Sequence, residues 1–279
     1  MKKKSMILAG ILLAIITCLA FSFGKKNPDP DPDAFKYQII HTWDFPNQLK
    51  NTSGISTIDQ HKIACITRDK GCIYIYNLKK QSLEKEINFG NSQNYTDIEI
   101  IGSTAFILKK EGKLIKIEHY KKDPVITEYQ IFNDTTRNAS GLSYDASSNR
   151  LLIAVKNDKF DHEGTKGIYG YSLATNTINF SPDYEIELNN SLFTKRKNIQ
   201  PAHRFLPNAM SKDSEEIIHI LDTRHHELLK VNIEKNNVEL YKLSEKDFPH
   251  PETISHLKNN NMMVFDNSKK PKLLEIKLK

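Results

Sequence analysis

Short apolar runs separated by polar turns dominate the chain from about residue 36 onward. Ile63-Ala64-Cys65-Ile66, Thr104-Ala105-Phe106-Ile107-Leu108, Leu151-Leu152-Ile153-Ala154-Val155, Ile217-Ile218-His219-Ile220-Leu221 and Met262-Met263-Val264-Phe265 are the length of strands and unbroken enough to be covered on both faces. About ten residues before each stands a short step: Ser53-Gly54-Ile55, Asp97-Ile98-Glu99, Ser140-Gly141-Leu142, Asn208-Ala209-Met210 and Glu252-Thr253-Ile254. The central residues of these steps are 44, 43, 68 and 44 apart. After each apolar run comes a third strand (71–78, 112–120, 166–173, 226–233, 271–278), and a more polar fourth follows at 82–89, 125–132, roughly 177–188 and 237–244. The third strands alternate in part, as in Lys113-Leu114-Ile115-Lys116-Ile117.

A unit of about 40–50 residues made of four short strands cannot bury both of its faces alone, and it does so by packing against like units around an axis. The pattern predicts an all-β fold, a β-propeller of five blades. The alternative of six needs a degenerate blade within the extra 24 residues between the third and fourth steps, where 189–205 reads as a long loop. The fifth unit lacks a fourth strand, and residues 36–45, Lys-Tyr-Gln-Ile-Ile-His-Thr-Trp-Asp-Phe, are strand-like and unassigned. Pairing them beside 271–278 closes the ring without an open edge. No 3.6-period apolar segment follows residue 24, so helix is expected to be scarce.

The first 24 residues differ in kind. Lys2, Lys3 and Lys4 precede an apolar stretch of 18 residues from Met6 to Phe23, the pattern of an export signal or a retained N-terminal anchor. Ile15-Ile16-Thr17-Cys18 resembles a bacterial lipobox, which makes Cys18 a lipidation candidate, although Thr17 and Leu19 depart from the pattern. Residues 25–35 alternate Pro with Asp and read as an extended spacer ahead of a propeller domain at 36–279. Asp29, Asp31 and Asp33 lack the turn glycine and distal Glu of a calcium loop.

The formal net charge of +6 includes those three lysines, and the remaining basic residues are scattered among acidic ones. No basic stripe with interleaved aromatics occurs, which argues against nucleic acid as a partner. Cys65 and Cys72 flank a turn in a register too wide for a disulfide, so both are expected to be buried thiols. His225-His226 and Asp161-His162-Glu163 lack zinc-ligand spacing, and no metal is assigned to histidine. Gly-x-Ser-x-Gly and P-loop patterns are absent.

Leu49-Lys50-Asn51-Thr52-Ser53-Gly54-Ile55, Arg68-Asp69-Lys70-Gly71-Cys72-Ile73-Tyr74, Tyr95-Thr96-Asp97-Ile98, Ser140 to Asp145, Leu151 to Lys156 and Phe248-Pro249-His250-Pro251-Glu252 together resemble the SdiA-regulated, YjiK-like family of bacterial envelope propellers over roughly 36–279. The resemblance implies an exported propeller with carboxylates near its central channel. Asn51, Thr96, Ala139 and Thr253 stand where that family more often has Glu, Glu, Glu and Gly, which weakens such a site. Asp97 and Glu252 remain as its candidate ligands, with Asp69, Lys156, Asp222 and Asp266 at strand ends that could face one rim; the alternative is that Asp97 and Glu252 are structural, accepting hydrogen bonds from backbone N–H groups where the innermost strands crowd together. The reading that follows is a membrane-tethered, non-catalytic binding or scaffold module on the periplasmic side of the cell envelope, holding a protein, glycan or small ligand at a rim. The alternative is a Ca2+-dependent hydrolase of lactonase or phosphoesterase type with its site in the channel, since calcium takes several oxygen ligands at close range.

Overall fold

The computed structural model describes residues 36–91, 93–132, 137–156, 164–179, 181–189, 191–196, 198–200 and 203–279. Cys18, the apolar N-terminal stretch, the Pro/Asp spacer and Asp161-His162-Glu163 lie outside these residues. Among those described, no helix is long and apolar enough to cross a membrane.

Five antiparallel sheets form the blades. Blade 1 comprises β2 (Thr52–Thr57), β3 (Lys62–Thr67), β4 (Lys70–Asn77) and β5 (Ser82–Gly90), and blade 2 comprises β6 (Tyr95–Ile101), β7 (Thr104–Lys109), β8 (Lys113–Glu118) and β9 (Val125–Gln130). Blade 3 holds β10 (Ala139–Asp145), β11 (Arg150–Val155) and β12 (Thr165–Ser172), with β13 (Thr177–Ile178) and β14 (Tyr184–Glu187) both paired to β12. Blade 4 holds β15 (Ala209–Lys212), β16 (Ile218–Asp222), β17 (Glu227–Asn232) and β18 (Asn237–Lys242). Blade 5 takes β19 (Pro251–His256), β20 (Met262–Asp266) and β21 (Lys272–Leu278) from the C-terminal end and β1 (Tyr37–Asp44) from the start of the domain.

The closure expected from the unassigned N-terminal strand is present: β1 pairs antiparallel with β21, Trp43 opposite Leu273. Trp43 donates its indole N–H to the Leu78 carbonyl of blade 1, 3.1 Å away, and packs with Phe45, Ile63, Cys65, Met263 and Phe265. The strand therefore also seals the seam between the first and last blades.

The unbroken apolar runs owe their composition to the seams. Along β3, Ile63 and Cys65 join the cluster shared with blade 5, while Ala64 and Ile66 join the one shared with blade 2. Along β11, Ile153 packs toward blade 2 and Leu152 toward blade 4. A second strand sandwiched in this way has no solvent face, so alternation disappears. Cys65 lies opposite Tyr74, both cysteines are free and buried, and burial pushes the Cys65 thiol up.

The long connection between blades 3 and 4 is a loop, as expected, but it is not merely polar. A short 3-10 helix at Ser191–Arg196 brings Phe193 beside Phe205, and both pack with Leu152, Met210 and Ile218.

Candidate functional site

Each innermost strand must enter the crowded centre of the ring. In four blades it does so through a register shift, between Thr52 and Gly54, Tyr95 and Asp97, Ala139 and Gly141, and Pro251 and Thr253. Such a bulge leaves one residue out of the ladder and re-aims its side chain. The residues set free are Ser53, Thr96, Ser140 and Glu252. In blade 4 Asn208 occupies the same place, its N–H donating to the Leu221 carbonyl just ahead of β15. All five line one cavity of about 250 Å3 at the mouth of the channel, one side chain from each blade.

This register corrects the phase of the second step. Ile55, Ile98, Leu142, Met210 and Ile254 sit opposite Cys65, Ile107, Ile153, Ile220 and Val264, so the equivalent quartets are Ser53-Gly54-Ile55-Ser56, Thr96-Asp97-Ile98-Glu99, Ser140-Gly141-Leu142-Ser143, Asn208-Ala209-Met210-Ser211 and Glu252-Thr253-Ile254-Ser255. Asp97 matches Gly54, not Ser53. A slip of one residue changes the direction of a strand side chain, and Asp97 does not line the mouth. It is 1% exposed and accepts hydrogen bonds from the N–H of Ile98 at 2.9 Å and, across the seam, from the N–H of Leu142 at 2.8 Å. Burial raises its carboxyl well above the ordinary range, and the two N–H donors oppose that shift. The constriction is severe: a Cβ on Gly54 would lie 2.7 Å from the Asp97 Cα and 2.8 Å from its Oδ1. Asp97 thus clamps neighbouring blades, and the expected pair of Asp97 and Glu252 does not form one site.

Glu252 does face the mouth, but among cations. Arg68, Lys110 and Lys156 line the same cavity, and among the described residues Glu252 is its one carboxylate. Arg68 pairs with Glu252. The Lys156 ammonium donates to the Asn208 side-chain oxygen at 2.9 Å, and Asn208 in turn donates to the Glu252 backbone carbonyl at 2.7 Å. Burial lowers the pKa of Lys156, with Glu252 and Asp222 acting against that shift and Arg224 and Arg68 adding to it. Ser53 is 4% exposed, and its hydroxyl has no hydrogen-bond partner among the described residues.

The other acidic candidates serve the backbone. Asp222 accepts from the Leu206 N–H at 2.7 Å and from the His225 ring at 2.6 Å. Asp266 repeats the arrangement, accepting from the N–H of His250 at 2.7 Å and of Ser268 at 3.1 Å. Both carboxylates are fully buried and fix the chain as it enters an innermost strand. Asp69 lies in the exposed turn after Arg68 and does not line the cavity. Lys156 and Glu252 are therefore the candidates that share the site, while Arg68, Lys110, Ser53, Ser140 and Asn208 were not singled out for it in the sequence. The quartet pattern, aligned on its fourth residue (Ser, Glu, Ser, Ser, Ser), carries the phase that would have found the polar ring.

Calcium does not fit these donors. It requires several anionic or carbonyl oxygens, whereas the one carboxylate among the described mouth residues is paired with an arginine and outnumbered by cations. Deeper in the channel Glu99 accepts from the Ser56 hydroxyl at 3.1 Å and the Tyr144 N–H at 3.3 Å, and burial raises its pKa to about 7.

No protein-family model and no curated protein matches the chain. Among solved structures, Myxococcus xanthus glutaminyl cyclase is similar with a TM-score of 0.61 at 13% identity, over 87% of this chain and 96% of that one. The PQQ-bound aldose sugar dehydrogenase of Streptomyces coelicolor is similar with a TM-score of 0.56 at 8% identity, over 87% and 98%. Virginiamycin B lyase from Staphylococcus aureus follows with 0.51 at 12%, over 87% and 100%. At such identities the likeness concerns the fold alone.

Proposed function

We propose that the propeller is a non-catalytic binding module that takes a small anionic ligand, a carboxylate or phosphate, at the channel mouth. The observation that carries this reading is the excess of cations, Arg68, Lys110 and Lys156 against Glu252, around a ring of one polar side chain per blade. Guanidinium and ammonium groups with hydroxyl donors form charge-assisted bonds to planar or tetrahedral oxyanions. A buried Ser53 hydroxyl without a partner among the described residues adds a donor that a ligand oxygen would satisfy. A cavity of about 250 Å3 suits a ligand of a few heavy atoms. Among the described residues of the mouth there is no nucleophile held by a base with a third group orienting it, which is why binding is favoured over hydrolysis.

The resemblance to SdiA-regulated envelope propellers and the lysine-led apolar N-terminus support placing this module outside the cytoplasmic membrane, tethered through residues 1–24 or through a lipid on Cys18.

Titration calorimetry with phosphate, succinate and citrate at low ionic strength tests the reading. Binding should weaken with added salt and should weaken about tenfold or more in Lys156→Gln. Glu252→Gln should bind the same anion more tightly, because it releases Arg68. The calcium-hydrolase alternative requires the opposite, a Ca2+ affinity that Glu252→Gln abolishes. That result, or no response to any of the three anions, overturns the proposal.

A further inference from the structure

Away from the mouth residues, the seam between blades 4 and 5 breaks the apolar rule that the other second strands obey. His219 of β16 sits opposite Ser211, and the corresponding residues of the other blades, opposite Ser56, Glu99, Ser143 and Ser255, are Ala64, Phe106, Leu152 and Met263. It is 3% exposed, and its Nδ1 has no hydrogen-bond partner among the described residues. A buried polar nitrogen without a partner loses the hydrogen bond that water gives it in the unfolded chain, so its position asks for a partner.

Two further donors face it. The ring of His256, at the end of β19, lies 4.7 Å from that of His219, centroid to centroid, with planes tilted by 50°. Asp213 follows β15, and its Oδ1 already accepts from the N–H groups of Glu215 and Ile217, both at 2.9 Å, so Oδ2 is left to point elsewhere. One ligand atom from each of the three residues lies within 4.8 Å of the other two. The set opens onto a cavity of about 490 Å3 lined from both blades.

We propose that His219, His256 and Asp213 form a binding site for a divalent transition cation, Zn2+ in the first instance, bridging blades 4 and 5 with one coordination position open to the cavity. Two imidazoles and a carboxylate with a free fourth position form a recognised donor set for zinc. The donors lie within 4.8 Å of one another, and small side-chain rotations on two sides bring them to the roughly 3.4 Å separation that tetrahedral bonds of about 2.1 Å set. The outer shell is also in place. His256 Nδ1 pairs with the Ser211 hydroxyl at 2.9 Å, which leaves Nε2 for the metal, and Thr57 donates to the His256 backbone carbonyl at 2.7 Å. Lys230 is the cation nearest in register, opposite His219, and it is paired with Glu239 at 3.5 Å. The second cluster of this kind, Asp222, His225 and Glu227, is different: its carboxylates already hold Leu206, His225 and Lys242.

The test uses the full-length protein, purified, stripped with a chelator and titrated with Zn2+ and with Co2+. Wild type should take up one equivalent of Zn2+, gain thermal stability as it does so, and give the intense visible absorption of low-coordinate Co2+. His256→Gln and Asp213→Asn should each weaken Zn2+ binding by about tenfold or more, while His226→Gln, which lies outside the cluster, should bind like wild type. Asp213→Asn keeps the oxygen that caps the turn, so its metal-free form should melt with wild type and separate lost binding from lost fold. Equal Zn2+ affinity in wild type and both cluster variants overturns the site, as does absence of uptake by wild type or loss of uptake in His226→Gln alone.

Discussion

Asp97 and Glu252 stand near the start of corresponding strands, yet the waist and the mouth of the channel use them in opposite ways. At the waist the innermost strands are so close that Gly54 has no room for a Cβ, and the carboxyl of Asp97 is consumed by two backbone N–H groups. At the mouth the bulges take one residue of each of four inner strands out of the ladder, and Glu252 meets Arg68 beside a cavity that Lys110 and Lys156 share. One residue of register separates an acid that holds the fold from an acid that lines the mouth cavity. In a propeller the bulge, more than the residue type, assigns the role.

The largest effect that separates the two regions is expected at Gly54. Gly54→Ala forces a methyl against the backbone of Asp97 and Ile98, and the urea midpoint should report a loss of ~3 kcal/mol. A change below measurement error would mean that the waist is looser than its geometry. Asp97→Ala should follow, with about 2 kcal/mol lost by the same assay, because it strands the N–H groups of Ile98 and Leu142. If it instead left stability intact and abolished anion binding, the division between waist and mouth would collapse.

A smaller effect is expected from pH. Glu99 titrates near 7 when folded, against 4.5 for an ordinary glutamate. An acid with a raised folded pKa contributes its full stability below the unfolded value and loses it as the pH rises through the folded one. Stability should therefore fall between about pH 4.5 and about pH 7, and Glu99→Gln should flatten that fall. Identical pH profiles for the two proteins would remove Glu99 as the cause. The smallest shift belongs to Glu252→Gln: its partner Arg68 is half exposed, so stability should move by less than about 0.5 kcal/mol even as anion affinity rises.

The sequence by itself determined the blade period, the identity of nearly every strand, the scarcity of helix and the closure through residues 36–45, because a strand buried in a seam must be continuously apolar and a sheet edge must be covered. It also showed that polar residues recur where the innermost strands begin. Only the tertiary structure decided which of them face the channel. A bulge inserts one residue without any compositional mark, and Asp97-Ile98-Glu99 satisfies the repeat one position out of phase. Asp222 and Asp266 were legible as acids at strand ends, but their capture of backbone N–H groups sixteen residues upstream depends on how the chain returns to the axis. The meeting of His219 with His256 is of the same kind. Each lies on its own blade at no distinctive spacing, and packing of neighbouring blades around an axis is what brings the two rings to 4.7 Å.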